Sequence, residues 1–358
     1  MSAAVAFSYR YAHASGLNSA PRPGVDWGLS LATCSVVEGV PSNPYFLQGR
    51  LTKPKVTADL LLCLSDVVRA RFYDPTRRLT MDPVVTSSSE LLRFEGFSSD
   101  NGLYARVDVD AIEADIQGRG TTNVDFNAPM RVALSKVRDR DTVDLAVGAA
   151  EVKMGVAGSD DVVEKKVKLP SRWVRGFTEV QAYQAGMKPL FEVSGVEARR
   201  FIRSLPRSGA NARPAFVVGA GRGLRLSLRE ARDSVRIAGT DRLRLLEAII
   251  TKADSLRVFA GASGTSAWEL TTPVGRYTFM LSPEVHRDFS GEGQALDALA
   301  GDGWERALPR VKASLQWQSA LDVDAIADRS GLERSEVEGA LAVLAAQGQV
   351  GYDLHLGT

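Results

Sequence analysis

Asp100-Asn101-Gly102 stands between two strand-like runs, Leu91–Phe97 and Leu103–Val109. Asn and Gly tolerate positive φ at little cost, so the tripeptide predicts a tight hairpin and makes its neighbours antiparallel. In the second run Tyr104, Arg106 and Asp108 alternate with Ala105, Val107 and Val109. That period of two gives one polar and one apolar face. A chain organised on such hairpins folds around antiparallel sheets.

Strand and helix signals then interleave along the 358 residues. Val5–Tyr11, Tyr45–Leu51, Val84–Thr86, Thr142–Val147 and Val162–Leu169 read as strands. After Lys53-Pro54-Lys55, apolar positions Leu60, Leu61, Leu64, Val67, Val68 and Phe72 recur at three and four. This is the period of a buried helix face. Ala128–Val137 and a stretch from Ser171 to about Ala185 read as further helices, the first with Pro129 in its opening turn. From about residue 188 the pattern restarts, with Phe191–Val193 a strand and Ser194 the cap of a helix over 196–205. Strands are predicted at Ala215–Val218, Leu224–Leu228, Leu256–Ala260, Ala267–Leu270 and Arg276–Leu281. Thr240 is read as capping a helix through Ile250, and Ser282-Pro283-Glu284 as opening a short one.

The segment from Trp304 onward differs in character. Helices over 304–317, from a cap at Asp322, and over 334–347 precede a predicted strand, Val350–Leu356. Helix, helix, tight Gly331 turn, helix and strand is the order of a winged helix-turn-helix. The expected fold is therefore α+β: mixed domains with mainly antiparallel sheets, then a winged helix-turn-helix-like module. The expected boundaries are 1–187, 188–300 and 301–358.

Charge balance excludes a polyelectrolyte binder for the chain as a whole, since Lys+Arg is 44 and Asp+Glu is 43. The balance is not local. Twelve arginines fall between 199 and 244 against Glu230, Asp233 and Asp241, a net of +9. Arg199, Arg200, Arg203 and Arg207 share helical spacing, and Arg213, Arg222 and Arg225 follow. Such a face suits an acidic protein partner or phosphates, or matches acidic surface within the same chain. Residues 322–358 carry a net of −5 instead. The helix that would read DNA begins Glu333-Arg334-Ser335-Glu336. Carboxylates there oppose phosphate, so Glu333, Arg334 and Glu336 are read as a protein or packing contact.

Catalytic and cofactor motifs are scarce. Two cysteines, Cys34 and Cys63, and three histidines exclude a disulfide framework and a four-cysteine zinc site. No Gly-Lys pair forms a phosphate loop, and Gly219-Ala220-Gly221-Arg222-Gly223 leads into a strand, so it reads as a hairpin. Asp108 and Asp110 share a strand face, where a carboxylate pair suits a cation, acid–base work or, by default, a solvated edge. His286 has no nucleophile near it in sequence and reads as structural. No cofactor and no metal are expected. No apolar run reaches the ~20 residues of a membrane span, and the N-terminus lacks a signal-peptide pattern, so a cytoplasmic protein is expected.

Several strings carry a family likeness: Asn43–Arg50, Leu91–Ser99, Tyr104–Val107, Arg119–Phe126, Arg199–Pro206 and Leu281–Val285. Together they resemble the N-terminal region of bacterial SWIM zinc-finger family proteins. The resemblance implies an adaptor that works beside a MoxR-type AAA+ ATPase and a von Willebrand factor A protein. It implies no zinc site here, because the family's cysteine–histidine motif is absent through Thr358. The expected function is thus a non-enzymatic scaffold for other proteins. The alternative is a nucleic-acid binder using the arginines of 199–244 and the winged helix.

Overall fold

The protein is seen in a computed structural model. The description covers residues 10–11, 16–18, 28–30, 35–36, 45–73, 83–87, 91–116, 120–167, 169, 171–207, 214–261, 263–289, 304–315, 321–346 and 349–356.

Two short ribbons come first: β1 (Arg10–Tyr11) pairs with β4 (Ser35–Val36), and β2 (Gly16–Asn18) with β3 (Gly28–Ser30). The main body begins with β5 (Tyr45–Leu51) and helix α1 (Pro54–Arg69). β6 (Val84–Ser87), β7 (Leu92–Phe97), β8 (Leu103–Val109), β9 (Ile112–Ile116) and β10 (Gly120–Asn123) follow. Next come α2 (Ala128–Lys136), β11 (Val143–Gly148), β12 (Glu151–Val156), β13 (Val162–Lys165) and α3 (Ser171–Ala185). The second half has β14 (Lys188–Ser194), α4 (Gly195–Ser204), β15 (Ala215–Ala220), β16 (Gly223–Ser227) and β17 (Val235–Ile237). It continues with α5 (Thr240–Leu243), β18 (Ser255–Ala260), β19 (Ser266–Thr272) and β20 (Gly275–Leu281). Three helices close the chain: α6 (Trp304–Ser314), α7 (Val323–Ser330) and α8 (Arg334–Ala346).

The fold is α+β, and every strand pairing among the described residues is antiparallel. The largest sheet has eight strands in the order β10-β6-β7-β8-β20-β19-β18-β14. It runs unbroken across the boundary read at 187/188. A five-stranded sheet, β13-β12-β11-β5-β9, and a three-stranded one, β16-β15-β17, complete the body.

Helix α1 packs on β7 and β8 and is buried almost all round, through Ala58, Leu60, Leu61, Cys63, Leu64, Val67 and Val68. Each of these leucines and valines stabilises by roughly 1.5–3 kcal/mol when removed from water. Helix α3 lies over the opposite side of the eight-stranded sheet at one end. Phe97, in register with Tyr104, packs its ring 5.6 Å from Trp173 and 5.0 Å from Phe177 of α3. Helices α6 to α8 form a smaller apolar cluster of their own around Val311, Ile326, Val337 and Leu344.

The Asp100-Asn101-Gly102 turn forms as expected, with Asn101 at φ 61°. It is buried, because Asp100 accepts from the Phe72 and Gly102 amides and from Ser98 Oγ. Ser194 caps α4 through the Glu197 amide. Gly221, at φ 61°, turns the β15–β16 hairpin that the glycine-rich loop predicts.

Three expectations fail. The helix read from Thr240 through Ile250 breaks into α5 and two 3₁₀ stretches, capped by Gly239 rather than Thr240. Thr240 Oγ1 bonds Pro206 O instead. Residues 283–286 form a bend and a turn, not a helix, because Ser282 Oγ is committed to Glu284 O and Arg287 O. Val350–Leu356 is not a strand. Asp353 bonds the amides two and three residues on, an Asx arrangement that competes with a β ladder. The three helices of the expected module are present, but without that strand no winged helix is formed by the described residues. The reading of Val5–Tyr11 lies outside the described residues except at 10–11.

Candidate functional site

Two charged features stand out. The first is buried. Register places three charged side chains in one row across β7, β8 and β20: Arg93, Asp108 and Arg276. The next row on the same face runs Glu95, Arg106, Thr278, Glu269 and Arg257 across five strands. Side chains of directly opposed residues meet, so these rows pair charges across strands. Asp108 lies 2.7 Å from Arg93 Nε and 3.1 Å from Arg106 Nε. Burial pushes the Asp108 carboxyl up, and Arg106, Arg93 and Arg276 outweigh it, so it stays below its ordinary range.

Segment 351–356 straps across these rows beside α3. The Tyr352 amide donates to Gln181 Oε1 at 2.6 Å. Asp353 Oδ2 accepts from Arg106 Nη2 at 3.2 Å and lies 3.7 Å from Arg276 and 3.9 Å from Arg93. Leu354 is buried in the main core. His355 Nδ1 sits 3.1 Å from Glu269 Oε1, and Arg257 donates to the His355 carbonyl at 3.5 Å. Arg106, a guanidinium only 1% exposed, is thus held between two carboxylates. Arg276 Nε and Glu269 Oε2 are buried without a hydrogen-bond partner among the described residues.

A groove of about 820 Å³ borders the strap, walled by Ala182 and Ala185 of α3, Leu341 and Ala345 of α8, and Tyr352, Asp353 and Leu356. Lys188, Arg334 and Glu338 also line it.

The second feature is on the surface. Arg200, Arg203 and Arg207 are exposed on or just past α4, while Arg199 is half-buried. Arg200 pairs with Glu197 one turn back. Arg222 and Arg225 are exposed on the β15–β16 hairpin. The hairpin packs against α4, and a Cβ at Gly223, on the same strand face as Arg225, would meet Glu197 at 2.7 Å. These residues therefore form one patch. Arg203, Arg207, Arg222, Arg225, Arg229 and Arg232 have no ion-pair partner among the described residues. Val196 (49% exposed) and Leu228 (82%) lie among them. Arg213 falls outside the described residues.

The acidic module behaves differently. Glu333, Arg334 and Glu336 are exposed at the start of α8. Glu336 Oε2 accepts from the Glu333 amide at 2.9 Å, a reach-back that satisfies a free helix-start donor. Arg334 ties α8 to α7 through Asp324 and bonds Glu338 at 2.8 Å. Asp108 and Asp110 do not form a carboxylate pair: Asp108 is buried among arginines, and Asp110 is exposed past the end of β8. His286 packs its ring 6.1 Å from that of Tyr73. Among the described residues no group of three or more His, Cys, Asp or Glu side chains is placed to hold a metal ion. No helix among them is long and apolar enough to cross a membrane.

No protein-family model and no curated protein matches the chain. Solved structures similar in chain course include proliferating cellular nuclear antigen from Entamoeba histolytica, at TM-score 0.46 and 9% identity. That likeness covers 67% of this chain and 99% of that one. The PCNA2–PCNA3 complex from Sulfolobus tokodaii is similar at TM-score 0.46 and 12% identity, covering 66% and 99%. Identities this low leave the side chains of the site unaddressed.

Proposed function

We propose that the chain is a scaffold that acts by binding other proteins, and that the α4–hairpin patch is its main contact. The observation that carries this reading is the company the arginines keep. Exposed Val196 and Leu228 stand among arginines with no ion-pair partner among the described residues. Arginine beside apolar side chains is the composition of protein interfaces, where a desolvated guanidinium and a buried hydrophobe reinforce each other. A phosphate backbone has no use for Leu228. Following the resemblance to SWIM-family proteins, the proposed partners are a MoxR-type AAA+ ATPase and a von Willebrand factor A protein.

The test is co-purification of the full chain with each proposed partner at micromolar concentration. Charge reversal at Arg203 and Arg225 together is expected to weaken the complex at least tenfold. No complex with either protein would reject the reading. The competing nucleic-acid reading is favoured by the same unpaired arginines. It predicts duplex binding whose log affinity falls steeply with log salt, because phosphate contacts release counterions. Steep salt dependence with DNA and no protein complex would replace the scaffold by a nucleic-acid binder.

A further inference from the structure

We propose that the Arg93–Arg106–Arg276 cluster is a recognition site for an acidic peptide segment of a partner protein, and that strap 351–356 is its resident stand-in. The inference rests on the reading of the chain as a protein-binding scaffold.

The cluster is built around an occupant that the sheet itself does not supply. Across the two rows four guanidiniums, Arg93, Arg106, Arg257 and Arg276, face three carboxylates, Glu95, Asp108 and Glu269, which leaves the sheet one negative charge short. The missing carboxylate comes from Asp353, 247 residues from Arg106 in the chain. A carboxylate between planar guanidiniums is what this geometry fits. A phosphodiester is a poor match. Arg106 is 1% exposed, and Glu95, Asp108 and Glu269 stand around it to repel a nucleic-acid backbone.

The site also shows how a peptide is read. The strap joins no sheet; among the described residues it is clasped through side chains and single backbone groups. Asp353 fills the arginine site, the next residue, Leu354, enters the core, and the backbone is held at Tyr352 N and His355 O. The recognised pattern is therefore a carboxylate followed by a large aliphatic residue in a turn. Arg276 Nε and Glu269 Oε2 keep unused hydrogen-bonding capacity facing this strap region. Exchanging Asp353 for a foreign carboxylate swaps like for like. The competition is then set by effective concentration, which a short tether places near the millimolar range. A partner already held at the α4 patch would compete on equal terms.

The test uses the full chain and a fluorescent peptide spanning Gln349–Leu356, with a second peptide carrying Asn for Asp353. Asp353→Asn in the chain weakens the resident strap without deleting it. The variant is expected to bind the Asp peptide at least tenfold more tightly than the unaltered chain does, and the Asn peptide at least tenfold more weakly. Adding Arg276→Gln, at a guanidinium on the rim of the cluster, is expected to remove binding while far-ultraviolet circular dichroism and the unfolding midpoint confirm folding. Equal binding of the Asp and Asn peptides, or no gain from Asp353→Asn, overturns the proposal. A concentration-dependent dimer of the unaltered chain that Asp353→Asn abolishes overturns it too, since the occupant would then be a second copy's strap. Loss of peptide binding with co-purification intact sinks this inference alone, whereas loss of co-purification sinks the scaffold reading.

Discussion

Arg106 Nη2 lies 3.2 Å from Asp353 Oδ2 and Arg106 Nε lies 3.1 Å from Asp108 Oδ2, so one buried guanidinium bridges a sheet carboxylate and a strap carboxylate. Arg106→Met removes the charge and leaves both acids facing each other. Breaking one side of a buried ion pair costs about 3–5 kcal/mol. A loss of that size in urea denaturation is expected. Asp353→Asn should lose far less, because Asp108 still balances Arg106. Equal losses for the two variants would mean that the arginine is not the hub.

Arg242 joins the two halves of the body. It is 1% exposed, and burial pulls its pKa down to about 10 against the pull of Asp100 and Glu284. Its donors reach Ala238 O and Ser282 O, both at 2.8 Å, Ser282 Oγ at 2.8 Å and Gly102 O at 3.3 Å. Arg242→Ala is expected to destabilise by about 3 kcal/mol or more, since several buried acceptors lose their donor at once. Arg242→Lys keeps the charge but not the fork and should recover less than half of that loss.

Much of the sheet was legible because alternation and turn chemistry are local. β5 matches its expected bounds, Asn101 adopts the positive φ its turn requires, and β20 lies within a residue of its expected start. The β8 reading is right about faces and wrong about burial, since it takes Asp108 for part of a solvated edge. Tyr104, Arg106 and Asp108 do share the polar face, yet every residue of β8 is buried, because α3 and the strap cover it. Alternation tells which face is polar; only the tertiary fold tells what lies on it. β9, β10 and β12 were missed: β10 is Gly-Thr-Thr-Asn, with no apolar side chain, and the alternation in Ile112–Ile116 and Glu151–Val156 runs over only five and six residues. Helical spacing places Arg200 and Arg203 on the exposed side of α4, whereas Arg199 is half-buried and Arg207 lies past the helix end. The Arg93–Arg106–Arg276 cluster was not legible, because its members and Asp353 come from four separate segments. The period-two signal at 104–109 was the one clue to it.

Cys63 reports on opening of α1. It is 1% exposed, its thiol lies 3.6 Å from Leu245 O, and burial pushes its pKa up to about 12. In a Cys34→Ser background, a disulfide reagent should leave Cys63 unmodified for as long as the chain is folded, and react at a rate that tracks urea-induced unfolding. Fast modification at zero urea would show that the α1 layer opens locally.

Glu164 makes stability depend on pH in a set direction. It is 3% exposed on β13, and Asn127, the α2 cap, donates to its Oε2 at 2.9 Å. Burial, aided by the nearby Asp125 charge, raises its pKa from 4.5 to about 7. Asp125 is itself raised by burial, and Arg69 opposes that shift. Between pH 4.5 and about 7 the folded chain holds a proton on Glu164 that the unfolded chain has released. The unfolded state binds fewer protons there, so stability falls as pH rises through the window, and the advantage of the protonated form is gone above it. Glu164→Gln fixes a neutral group that still accepts from Asn127. The expected result is a higher melting temperature than the unaltered chain at pH 8, near equality at pH 4.5, and a flatter profile between. Parallel profiles for the two proteins would show that another group carries the pH dependence.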